Sequence, residues 1–138
     1  MSDGGLDRMN RRFAAVLRNV KEVVEPALVK GAEEIAATQR QLAPEDTGAL
    51  KDSITVTPPG GTTPAYSQPG GSRTAKENEA IVTAGNAAVR YPHLVEHGTS
   101  EAPAQPFFWP GFRLTRARAQ NRIKRSISKA VRTGWDAP

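Results

Sequence analysis

No cysteine occurs in the 138 residues, so neither a disulfide framework nor a thiolate metal site can be built, and the redox compartment stays open. No run of 18 apolar residues exists either, so no segment is expected to span a membrane. The opening stretch MSDGGLDRMNRRF is charged from Asp3 onward and has no apolar signal region, which argues against secretion. Aromatic residues number only eight, and half of them, Phe107, Phe108, Trp109 and Phe112, fall within six residues. Acidic residues are missing from Arg113–Arg132, which holds eight Lys and Arg. There is no G-x-S-x-G elbow and no Walker-type loop. The PPGG and PGGS stretches lack the strand, lysine and helix that a phosphate cradle needs. No catalytic residue and no cofactor is expected.

What is present suits one domain over residues 1–138, a size that buries about two-thirds of its unfolded surface. Leu6, Met9, Phe13, Val16, Val20, Val23, Ala27, Gly31 and Ile35 recur at three- and four-residue steps and predict a long N-terminal helix. Asp3 is positioned to cap it, Pro26 to kink or break it near Glu25, and Pro44 to end it. Asp46 or Thr47 can cap a short turn through Leu50; SITVT then reads as a strand, and EAIVTAG from Glu79 as a second.

Between the strands the composition changes. Fourteen of the eighteen residues Thr57–Thr74 are Pro, Gly, Ser or Thr, so residues 57–79 are expected to form a long mobile hairpin arm. Pro110 favours the first turn of a C-terminal helix. That helix buries Phe112, Ala119, Ile123, Ile127 and Ala130 and stops at Gly134.

The only histidines, His93 and His97, flank Glu96 in YPHLVEHG and spell H-x-x-E-H, a zinc-protease spacing. The stretch alternates with period two, and Pro92 and Gly98 leave room for barely one helical turn. As a strand it would hold the two imidazoles about 13 Å apart, too far for one ion. After His97 the only acids are Glu101 and Asp136, so no metal site is expected.

Two blocks together carry a resemblance. APEDTGALKDSITV (Ala43–Val56) is similar to the signature aPxDTGxLxxSIxV. YPHLVEHGTSEAPAQPFFWPGF (Tyr91–Phe112) resembles an aromatic, then hydrophobic-Glu-aromatic-Gly-Thr, then small-x-Pro-Phe-x-x-Pro. Both belong to the lambdoid-type siphophage tail-component family of tail-completion or head–tail joining proteins. The order of elements fits over residues 5–132, with His97 standing where the family more often has Phe or Tyr.

The resemblance implies an α+β fold, with long N- and C-terminal helices packed on a small antiparallel sheet. It also implies a structural virion protein at the neck, arranged as a homo-oligomeric ring, expected to be a hexamer. Such a ring would meet a head-completion or connector protein and the tail tube or tail terminator protein, with packaged DNA in its lumen, after assembly in the host cytoplasm. Glu96 and Thr99 would form a turn that either accepts backbone N–H groups or meets a neighbouring subunit. The charge pattern adds a second expectation. The basic C-terminal helix, through Arg122, Arg125 and Lys129, would lie against Glu22, Glu25, Glu33 and Glu34 of the next copy, or against DNA. A small nucleic-acid-binding protein using that helix is the alternative function, although its aromatics precede the basic residues rather than interleave with them.

Overall fold

The computed structural model describes residues 3–45 and 48–136, with the side chain of Asp3 left aside. The elements run α1 (Asp3–Leu42), α2 (Ala49–Asp52), β1 (Thr55–Thr57), β2 (Ile81–Thr83), α3 (Pro92–His97) and α4 (Phe108–Asp136). The two strands pair antiparallel with Val56 opposite Val82, and the fold is α+β as expected. The caps expected of Asp3 and of Asp46 or Thr47 fall outside the described side chains.

α1 runs through Pro26 without a break, contrary to the interruption expected near Glu25. Proline removes one helical hydrogen bond, and here it sits on the exposed face, where water can reach the freed carbonyl. The next residue, Ala27, is buried, so packing on both sides of the proline holds the helix together.

α1 and α4 form an antiparallel hairpin. Gln39 lies against Gly111 at one end and Val16 against Gly134 at the other. That is twenty-three residues along each helix, or about 34 Å of shared contact. Small residues set the spacing: a Cβ on Gly31 would meet Ile123 and the Ala119 methyl. Polar ties cross the seam, with Thr115 Oγ1 bonded to Thr38 Oγ1 at 2.6 Å and Gln39 Nε2 donating to the Phe108 carbonyl at 2.9 Å.

Gly134 does not stop the helix. It lies inside α4, where an added Cβ would meet backbone atoms of Val16 at 2.6 and 2.7 Å. Backbone cannot rotate away, so Gly134→Ala should separate the helix ends despite alanine's better helix propensity. A net loss of about 1–2 kcal/mol in urea unfolding is expected. An unchanged or raised midpoint would mean that the helices do not close at this end.

The sheet sits at the Leu42 end of the hairpin, over a cluster of Ala36, Ala43, Leu50, Ile54, Ala84, Phe107 and Phe108. The first motif block supplies its centre. Ser53 Oγ donates to the Leu50 carbonyl and accepts the Gly85 N–H, while Arg40 donates to the Ile54 carbonyl at 2.8 Å.

Backbone bonds run across the arm. Thr63 N–H donates to the Arg73 carbonyl, Ala75 N–H to Gly61, and Gln68 exchanges both bonds with Ala84. Ser67, Thr63 and Ala75 are buried, and the Arg90 guanidinium lies 3.7 Å from the Tyr66 ring centre. Hydroxyl groups do here what apolar side chains do elsewhere, which composition alone does not reveal.

Glu79 clamps the base of the arm, accepting the Lys76 N–H at 3.1 Å and pairing with Arg73 at 3.5 Å. Its carboxyl is held below the ordinary glutamate value, chiefly by the Lys76 backbone bond; desolvation opposes this, and the Arg73 and Lys76 charges add to the lowering. A lowered carboxyl pKa stabilises above the unfolded value, and that contribution fades as pH falls through the folded value. Glu79→Gln should therefore speed tryptic cleavage after Arg73 at neutral pH. Cleavage no faster than in wild type would show that the clamp does not hold the arm.

Candidate assembly interface

The stretch Pro92–His97 is a helix, not the strand expected from its alternation. Pro92 occupies the first turn of α3, where its missing N–H costs nothing, and Gly98 ends the helix with φ 77°. A Cβ at Gly98 would meet the Ala104 backbone nitrogen at 2.7 Å, so the chain can turn here only on glycine. His93 and His97 are consequently about one helical turn apart, not 13 Å, and both are exposed. The strand-based objection to a metal therefore fails.

Geometry gives a different account of the glutamate between them. Glu96 is buried and accepts the N–H groups of Phe107 and Phe108 on Oε1, each at 2.9 Å, and that of Trp109 on Oε2 at 3.3 Å. These are unpaired donors at the start of α4, where a carboxylate also meets the positive end of the helix dipole. Glu96 thus joins α3 to α4 and is not poised as a base. Among the described residues no cluster of three or more His, Cys, Asp or Glu can hold an ion. The adjoining cavity of about 110 Å³ is lined by His93, Glu96, His97, Pro69 and Phe107–Trp109.

The other expected interface residues separate into two groups. Glu34 pairs with Arg122 and, at 3.7 Å, with Arg118 of its own chain, across the α1–α4 seam. Glu34 and Arg122, expected to pair across two copies, are thus brought together within one by the antiparallel hairpin. Glu96 is likewise turned inward. Thr99 stays at the surface, its Oγ1 accepting the N–H groups of Glu101 and Ala102 in a local turn. Glu33 is half-exposed, 3.9 Å from Arg40. Arg125 and Lys129 are exposed and make no ion pair among the described residues.

One surface was not anticipated. Leu6, Met9 and Phe13, assigned from the sequence to the buried stripe, are 53%, 42% and 52% exposed, and Leu17 is 62% exposed. The reason is reach. Phe13 meets Trp135 edge-on at 5.6 Å at the end of α4, and residues 3–12 project about 15 Å farther. Comparing the two helix lengths, forty residues against twenty-nine, is the signal that could have found it.

A family model described as "Bacteriophage HK97-gp10, putative tail-component" matches residues 7–98. The match takes in α1, the first motif block, the arm and α3 as far as Gly98. No curated protein and no solved structure matches the chain.

Proposed function

The chain belongs to the HK97-gp10-like family of bacteriophage tail components, and from that premise we propose that it completes the tail at the neck of a long-tailed phage. As a tail component it is a structural virion protein. In this proposal the chain acts as one domain, copies form a ring in the host cytoplasm, and the ring joins the head-completion protein to the tail tube or tail terminator. The observation that carries the reading is the family match itself, because its motif residues build the scaffold. Leu50, Ser53 and Ile54 lie in the core, and Glu96 fastens α3 to α4. With these turned inward, Glu33, Thr99, Arg125 and Lys129 are the expected residues left to meet partners.

A nonsense mutation in the gene for this chain tests the reading. The expected lysate contains filled heads and separate tails that fail to join, and adding the purified protein restores infectious particles. Normal yields of joined virions without the chain would contradict it.

A second reading has its own observation. Among the described residues Arg113, Lys124, Arg125, Lys129 and Arg132 make no ion pair, so α4 offers a basic face to a polyanion. Were DNA the partner, binding would weaken with salt at a log–log slope of about −0.9 per phosphate contacted. A slope near zero would leave α4 to protein contacts.

A further inference from the structure

The molecule is electrically polarised along the hairpin. The head, residues 43–107, carries four basic and seven acidic groups. The two long helices, residues 3–42 and 108–136, carry fifteen basic and seven acidic. The largely exposed apolar stripe Leu6, Met9, Phe13 and Leu17 lies at the basic end; Phe13 touches Trp135, Arg12 lies over the same ring at 5.2 Å, and Arg8, Arg11 and Arg18 occupy the rest of the helix cylinder. Two such basic tips repel one another, so the stripe is better matched by a surface with apolar groups in acidic surroundings.

The head offers a mixed one, more polar than apolar, with Leu50, Val95 and the Tyr91 ring in its lining. A groove of about 430 Å³ opens beside α3, lined by Pro44, Glu45, Leu50, Tyr91, Val95 and Gln105. The Glu45 side chain is 77% exposed and pairs with Lys51 at 3.2 Å, a surface pair that a second cation can share, and Tyr91 and the neighbouring Leu94 are large apolar groups open to solvent. Acidic Glu101 stands in the adjoining loop, whose Gln105 N–H is bonded to the Val95 carbonyl.

We propose that the α1 tip of one copy docks in the α3 groove of a second copy. Leu6, Met9 and Phe13 would cover Tyr91 and Val95, and Arg8 or Arg12 would approach Glu45. The contact is heterologous: tip and groove are different surfaces at opposite ends of the chain, so each copy keeps one of each free for the next. Repetition closes into a ring where the rotation permits. The inference rests on the self-association in the reading above and names the surfaces that meet. Charge complementarity orients the encounter and makes it sensitive to salt.

The absence of cysteine makes a clean test possible. Met9→Cys and Gln105→Cys are made as separate full-length proteins, both at exposed positions, then mixed and oxidised. The expected result is an interchain disulfide that forms in the mixture, is scarce in either protein alone, and falls several-fold when the Met9→Cys protein also carries Arg8→Glu and Arg12→Glu. A protein with both cysteines should give a ladder of linked copies. Cross-linking of Met9→Cys with itself would mean a tip-to-tip contact and overturn the proposal. So would no cross-link in the mixture, including the case where the tip instead sediments with phosphatidylcholine–phosphatidylglycerol vesicles in a Phe13-dependent manner. Failure here together with a joining defect in the nonsense mutant would leave the neck role standing and remove only this contact.

Discussion

Replacing Phe107 by alanine should lower the stability of the folded chain by about 3–5 kcal/mol. The ring is fully buried, edge-on to Phe108 at 6.4 Å, in a cluster half of whose other members are alanines. Ala36, Ala43 and Ala84 have no side-chain length with which to fill the space, so the cavity would remain. Trp109 supplies the contrast. It is 40% exposed and stacks at its edges on Phe108 and Phe112. Its removal should cost less, about 1–2 kcal/mol, since much of its surface is already in water. Urea unfolding of both variants reads the difference. Equal losses, or a larger one for Trp109→Ala, would mean that the aromatic cluster packs otherwise than described.

Glu96→Ala should cost about 2–4 kcal/mol, because three N–H groups at the start of α4 lose a charged acceptor while two of them stay buried. Glu96→Gln keeps an acceptor oxygen but gives up the charge and turns an N–H₂ group toward other donors, so an intermediate loss is expected. Hydrogen exchange distinguishes this from general loosening: the amides of Phe107, Phe108 and Trp109 should exchange faster than the α1–α4 seam. Uniform acceleration along α4 would assign Glu96 no special part in its start. Phe107 donates to Glu96, so the two substitutions are not expected to add.

These two residues also show how far sequence reasoning reached. The long helices and the strand pair follow from periodicity and β-branching, which act locally. The α3 stretch did not yield, because the six residues Pro92–His97 satisfy both templates. Proline can begin a strand or the first turn of a helix, and the choice is made by Glu96 reaching the start of α4, eleven residues away. The bonding inside the arm was not legible for a related reason: it runs through Thr63, Ser67 and backbone pairs, not through apolar content. The complementary charges of the two helices were legible, whereas the closing of Glu34 on Arg122 within one chain required knowing that α1 and α4 are antiparallel neighbours. Nothing in the pattern of Leu6, Met9 and Phe13 separates them from a buried stripe. Only the reach of the partner helix does.

The central claim, that this tail component sits at the neck, is tested most directly by locating it on intact virions. Antibody against the chain, carrying a gold label, should mark the junction of head and tail in electron micrographs, with no label on tail tips or capsid faces. Label confined to the far tip of the tail, or virions without the chain, would contradict the account.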